Sequence, residues 1–224
     1  MASPGRTSAP SRARRAQQAR QALYRDLVIE AAESTFAEHG VEGSKMEQIA
    51  EAAGLSLGTV YAVFRGKAAI VDALHERRLR EVFDRTSAGA QGLRDPLEKL
   101  IAGVRAYVEY FLAHPDYLRM YISEGTSWGM HSGVDAMPAR ARAWAEGIAR
   151  QERLFRQGVD AGIFHAGDPN RMARTMAAMQ QVRLADWLDD DMREDPDTLV
   201  AELELQLRRC FCRRESDRKL RSDE

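Results

Sequence analysis

The chain has 224 residues with 16 glycines and 7 prolines, which excludes a collagen-like repeat and leaves length for one large or two small domains with a real core. Its formal net charge of −1 hides an uneven layout: Arg6, Arg12, Arg14, Arg15, Arg20 and Arg25 all precede the first acid, Asp26, while Asp189, Asp190, Asp191, Glu194 and Asp195 crowd the other end. No uninterrupted apolar run approaches the length of a membrane span, and the basic N-terminus lacks the apolar segment of a signal peptide, so a cytoplasmic protein with no membrane partner is expected.

Residues 1–19 are mostly Ser, Pro, Ala, Gln and Arg with almost nothing apolar to bury, and read as a disordered basic arm. Such an arm is either a solvated tail or a segment that tracks phosphates or enters a minor groove. From about Arg20 to His39 the spacing predicts a first long helix, with Ile29, Ala32 and Phe36 on one face and His39-Gly40 as its end.

Ser44 to Lys67, SKMEQIAEAAGLSLGTVYAVFRGK, reads as two short helices about a tight turn. Ser44 and Glu47 have capping-box spacing. Met46, Ile49, Ala50 and Ala53 then mark one apolar helical face, and Gly54 suits the left-handed residue that ends a helix. Ser56 can cap the next helix, in which Leu57, Val60 and Phe64 point inward and Ser56, Gly58, Thr59, Tyr61 and Arg65 outward. This is the pattern of a helix-turn-helix, whose second helix enters the DNA major groove; a helical hairpin in an ordinary core has the same spacing. The outward face separates the two. Small residues admit a close backbone approach, and Thr59, Tyr61 and Lys67 are common phosphate donors.

Arg25, Val28-Ile29, Ala31-Ala32, Phe36, Gly40, Met46, Ile49-Ala50, Ala53-Gly54, Ser56, Gly58-Thr59-Val60-Tyr61, Phe64 and Lys67 together resemble the TetR family signature, from about Arg25 to Leu74 without a gap. Gly66 and Ala68 stand where that family often has Ser or Asp and Glu. The resemblance implies an all-α, dimeric, one-component transcription regulator. It assigns 20–82 to a helix-turn-helix DNA-binding domain, 83–214 to a helical ligand-binding and dimerisation domain, and 215–224 to a charged tail. The DNA-facing candidates are Ser44, Lys45, Ser56, Leu57, Gly58, Thr59, Tyr61, Ala62, Arg65 and Lys67. The expected partner is an inverted-repeat operator in double-stranded DNA, read by a homodimer.

After Arg65-Gly66 a fourth helix is predicted from Lys67 to about Arg85, carrying Ile70, Val71, Leu74, Leu79 and Val82; in the family it links the two domains. Thr86 to Arg94 reads as a loop. Asp95-Pro96 opens a helix with an acid as cap and Pro in the first turn, and His114-Pro115-Asp116 breaks it to start a short one through about Ser123. Residues 124–137, with three glycines around Trp128 and Met130, are either a lid on a pocket or a surface turn. A long helix to about Ala161 follows, then one opened by Asp168-Pro169, then one opened by Pro196. The last two offer Ala177, Leu184, Trp187, Leu188, Leu199, Leu203 and Leu207 to a dimer contact or to the core.

No catalytic motif is found: the five histidines share no i, i+4 pair, and neither a G-x-S-x-G nor a Gly-rich phosphate loop is present. Cys210 and Cys212 are too close along one helix to bridge well and are expected to stay reduced. No enzyme, metal or cofactor is therefore expected. Aromatic and thioether side chains gather in the second half, and Tyr107, Phe111, Trp128, Trp144, Met176, Met179 and Gln180 are the candidates for a small-molecule effector site. No inward acid is obvious there, which favours a neutral or weakly anionic apolar effector over a cationic one. The function expected is a repressor released by that effector. An activator or corepressor-dependent regulator of the same fold, or a helical small-molecule binder without operator binding, is the alternative.

Overall fold

The computed structural model describes residues 12–123 and 138–213. They form α1 (Arg12–Gly43), α2 (Met46–Ala52), α3 (Leu57–Val63), α4 (Lys67–Gly89), α5 (Pro96–Ala113), α6 (Pro115–Ser123), α7 (Pro138–Asp160), α8 (Pro169–Asp189) and α9 (Pro196–Phe211). Among the described residues the only strand-like feature is an isolated antiparallel bridge between Phe164 and Cys212, so the all-α expectation holds. Two compact units result, one ending at Val71 and the other beginning at Asp72.

In the first unit α1 starts at Arg12, well before Arg20. Residues 12–19 are thus helical, although every one is exposed. Low hydrophobicity reads as disorder, but Ala, Arg and Gln are strong helix formers and extend a helix already nucleated further on. Gly40, at φ 70° and ψ 161°, breaks the helix where His39-Gly40 was expected to end it. Val28, Ile29, Ala32 and Phe36 are buried on α1; Met46, Ile49 and Ala50 of α2, Val60 of α3 and Phe64 are buried with them. Each large side chain so buried contributes about 1.5–3 kcal/mol.

In the second unit α4 runs on to Gly89, so Thr86 to Gly89, read as loop, is helix. The Thr86 and Ser87 hydroxyls donate to the Phe83 carbonyl at 3.0 and 2.7 Å, which satisfies these polar side chains inside the helix. Asp-Pro pairs open α5 and α8 as predicted, and Pro196 opens α9 as predicted, with Asp195 before it as the cap. Asp95 accepts from the Leu97 and Glu98 amides, Asp168 from Asn170 and Asp195 from Thr198. The Asp72 carboxylate accepts from the Ala139 and Arg140 amides at 3.3 and 2.9 Å, capping the start of α7. An aromatic cluster of Phe155, Phe164 and Phe211 ties the end of α7 to the end of α9, with centroids 5.3 and 4.9 Å from Phe155.

The faces offered for dimer contact are mostly core. Leu184, Trp187, Leu199, Leu203 and Leu207 are at most 2% exposed within this one chain. The Trp187 indole donates to the Glu194 carbonyl at 3.0 Å, and the Arg183 guanidinium holds Glu194 and Glu202, so α8 is fastened to α9 internally. The Trp128 loop, residues 1–11 of the basic arm and the tail from 214 lie outside the described residues.

Candidate nucleic-acid interface and effector cavity

Lys45, not Ser44, is the N-cap of α2: its amide donates to Gln48 Oε1 at 2.8 Å, one residue later than the Ser44–Glu47 spacing suggested. Ser44 is buried, and its hydroxyl faces the carbonyls of Gly40 at 2.6 Å and Thr35 at 3.2 Å. Its side chain seals the end of α1 and is not placed for DNA. Gly54, at φ 63°, makes the turn, and the Leu55 amide closes it on the Ala50 carbonyl at 2.9 Å. Ser56 caps α3 as predicted: its Oγ accepts from the Thr59 amide at 3.2 Å and lies 2.8 Å from Thr59 Oγ1.

Lys45, Ser56, Gly58, Tyr61, Ala62 and Arg65 are exposed, and Leu57 and Thr59 are half-buried. These eight positions occupy α3 and the ends of α2 and α3, so the structure gathers them on one segment of the unit. Leu57, expected inward, is the partial exception on burial. A Cβ at Gly58 would meet only Ser56 Oγ, at 4.0 Å. Nothing in the fold therefore requires a glycine there, although an interior helical Gly costs about 0.5–1 kcal/mol against Ala.

Lys67 is placed differently from its expected role. Its ammonium donates to the Glu42 and Ser44 carbonyls, both at 3.0 Å. Two of its three donors thus brace the start of α4 against the end of α1, leaving one for a phosphate. Sequence reasoning gave Arg25 no role beyond the signature. Its guanidinium lies 4.3 Å from the centroid of the Phe64 ring and donates to the Val63 carbonyl at 3.1 Å. It holds the C-terminal end of α3 by a cation–π contact and a hydrogen bond. The signal was present, since Arg25 heads the apolar stripe of α1 on which α3 packs.

The second unit contains a cavity of about 60 Å³ between α4, α5, α7 and α8. Phe83, Leu100, Tyr107, Leu154 and Met176 give it apolar walls; Lys99, Arg150, Gln151 and Gln180 supply polar groups. Of the expected effector residues, Tyr107, Met176 and Gln180 line it. Phe111 does not: it is core, with Tyr107 and Tyr117 centroids 4.9 and 5.9 Å away. Trp144 packs 6.2 Å from Phe83, behind the wall, and Met179 is half-buried elsewhere on α8. Sequence periodicity found the aromatic helices but could not say which side of each faced the void.

Titration follows the same geometry. Burial and a hydrogen bond with Tyr121 push the Tyr107 hydroxyl well above the usual phenol range. Burial also raises Tyr121, to about 12, against the lowering effect of bonds with Gln181, at 2.6 Å, and Tyr107. Arg150 pairs with Asp84 at 2.8 Å. Among the described residues no group of three His, Cys, Asp or Glu side chains could hold a metal ion, and no helix is long and apolar enough to cross a membrane.

A capped pair of short helices about a Gly turn, docked on a longer helix, has the geometry of a helix-turn-helix, and in the chain it is followed by a helical unit with its own cavity. Residues 28–74 match the family described as bacterial regulatory proteins, tetR family. Residues 28–74 are thus a TetR-type helix-turn-helix segment. The chain is similar to the HTH-type transcriptional repressor SCO4008 of Streptomyces coelicolor, at 25% identity over 136 residues, 61% of this chain and 65% of that one. The alignment therefore spans a little under two thirds of that relative. Among solved structures it is similar to the fatty acid degradation regulator FadR of Bacillus halodurans, with TM-score 0.72, 21% identity and coverage of 82% of this chain and 94% of that one. It is also similar to NalD of Pseudomonas aeruginosa, described as the secondary repressor of the MexAB-OprM multidrug efflux pump, with TM-score 0.65, 26% identity and coverage of 86% and 98%.

Proposed function

We propose that this chain is a transcriptional repressor that binds an inverted-repeat operator as a homodimer through α2 and α3, and that a small molecule entering the cavity of the second unit releases it. The observation that carries the DNA half is Gly58. An exposed, fold-independent glycine inside a seven-residue helix is a local cost. It is offset when an outside surface, a phosphate or a base edge, approaches the bare backbone. Tyr61, 50% exposed on the same helix, supplies a phosphate donor beside it. The repressor sense is supported by the names of SCO4008 and NalD.

The dimer contact is assigned to the exposed apolar positions on the last two helices rather than to their buried faces. Val182 on α8 and Leu205 on α9 are 63% and 46% exposed. Two-fold pairing through them would present two α3 helices to half-sites about 34–36 Å apart, one turn of DNA. The effector then acts as a coupling free energy, favouring the conformer whose two reading helices no longer match that spacing.

The experiment is capture of genomic fragments by the purified chain, sequencing of what is retained, and return of the recovered fragment to a binding assay with and without candidate effectors. Retention of one inverted repeat, lost on addition of an effector, is the expected result. Equal retention of every duplex would sink the operator reading.

A further inference from the structure

We infer that the cavity of the second unit is built for a compact monocarboxylate, with its carboxylate at Lys99, its apolar body against Phe83, Leu154 and Met176, and its polar edge on Gln180 and Gln151. The inference rests on the reading of this cavity as the effector site and names the chemistry of the effector.

Charge is the first argument. No Asp or Glu is among the cavity's lining residues, whereas Lys99 and Arg150 both are. Arg150 is already paired with Asp84 at 2.8 Å. Lys99 has no acidic partner among the described residues, so one positive charge on the wall is left uncompensated. A cation entering there meets a like charge with nothing to offset it, while a carboxylate gains a charge-assisted hydrogen bond.

The second argument is unmet hydrogen bonding. Gln180 is 3% exposed, lines the cavity and has no side-chain partner among the described residues. Gln151 Oε1 is buried and also without a partner. Buried carboxamides are normally satisfied, so the unpartnered Gln151 Oε1 beside Gln180 on one cavity wall marks where a polar group of a bound molecule belongs. An amide N–H of Gln180 can donate to the carboxylate oxygen that Lys99 leaves free, and Gln151 Oε1 can accept from a hydroxyl or N–H on the same molecule.

The remaining hydroxyls cannot take over this role. Thr86 and Ser87 donate to the Phe83 carbonyl, and Tyr107 is hydrogen-bonded with Tyr121. Recognition falls to Lys99, Gln151 and Gln180 by elimination of groups already in use. Size sets the body. About 60 Å³ is room for a few waters as the walls stand, so only a small body can enter, and only if a wall moves outward to admit it. Met176, unbranched and polarisable, lets one wall yield to the shape of that body.

The test uses three probes that share one body and differ in the head: 3-methylbutanoate, 3-methylbutanamide and 3-methylbutylamine. Binding to the full chain is measured by ligand-observed NMR, with operator retention followed in parallel. We expect the carboxylate to bind about ten-fold or more tighter than the amine, with the amide between. Lys99→Met should reduce the carboxylate to the level of the amide without lowering the melting temperature, and Gln180→Leu should weaken carboxylate and amide alike. Equal or tighter binding of the amine overturns the inference. So does a carboxylate preference that survives Lys99→Met, or binding of none of the three at millimolar concentration. Carboxylate-selective binding with operator retention unchanged would keep the ligand class and overturn the effector reading. Operator release with no preference among the heads would do the reverse.

Discussion

The Phe83 ring lies directly over the backbone of Gly147, so close that a Cβ built there would fall 2.0 Å from both Cε2 and Cζ of the ring. Both residues line the cavity. Gly147→Ala must therefore push Phe83 into the void or spread α7 from α4, and we expect a loss of about 1–3 kcal/mol. Gly103 borders the same cavity, but a Cβ there would lie 3.9 Å from Thr86, ordinary contact. Gly103→Ala should be neutral or slightly stabilising. Thermal denaturation of the two variants checks the contrast, and equal melting temperatures would show that Phe83 relocates freely.

Lys67 and Tyr61 should separate stability from DNA affinity. Lys67→Ala removes the donor to the Glu42 and Ser44 carbonyls, so it should lower stability by about 1–2 kcal/mol as well as weaken DNA binding. Tyr61→Ala, at a half-exposed site, should leave stability within about 0.5 kcal/mol. It should weaken binding to every sequence and reduce the salt slope by about 1. Denaturant melts and affinities at several salt concentrations measure both; a stable Lys67→Ala would show that the two carbonyls find water at no cost.

Glu81 predicts an acid dependence. Burial raises its carboxyl, but hydrogen bonds from Tyr110, at 2.7 Å, Arg78, at 2.7 Å, and Arg77, at 3.1 Å, outweigh that and hold it below the usual glutamate range. A folded-state value below the unfolded one stabilises the fold above the unfolded value of ~4.3, and that contribution is lost as pH falls through the folded value. Stability should thus decline below about pH 4, and Glu81→Gln should be less stable than the parent at neutral pH with a smaller difference in acid. Because the side chain is about a third exposed, solvent screening keeps the effect modest. A difference between the two proteins that is flat with pH would remove Glu81 from the account.

Val182→Lys and Leu205→Lys should each leave the monomer fold within about 0.5 kcal/mol, since both positions face solvent in one chain. Each should shift the solution mass toward the monomer and lose operator affinity with it. Leu203→Ala is the contrast: a side chain 2% exposed should cost about 2–5 kcal/mol of fold stability. Sedimentation at micromolar concentration decides, and a dimer undisturbed by both lysines would place the contact elsewhere.

Local signals carried well from sequence to structure. The proline-marked helix starts, the Ser56 cap, Gly54 and the apolar stripe of α1 each depend on neighbours within one or two turns, and each appears as read. What failed depended on distant partners. Lys67 looks like a free cation until the carbonyl of Glu42, far back in the chain, is found beside it. Leu184 and Leu203 look equally suited to a core and to an interface, because helical periodicity gives a face and not its occupant. Tyr107 and Phe111 lie one turn apart on α5, yet only Tyr107 reaches the cavity.

α2 and α3 contain seven residues each, fewer than a helix needs to persist alone in water. They persist because Ile49, Val60 and Phe64 share one buried cluster with α1 and because Arg25 grips the end of α3. Neither helix can then fray by itself without uncovering that cluster. The amides of α3 should exchange with solvent at the same slow rate as those of α1 from Val28 to Phe36, as one cooperative opening unit. Under the proposed function, a reading helix held in this way would meet DNA already formed, so its sequence preference would be set by the folding of the unit and not by adjustment on contact.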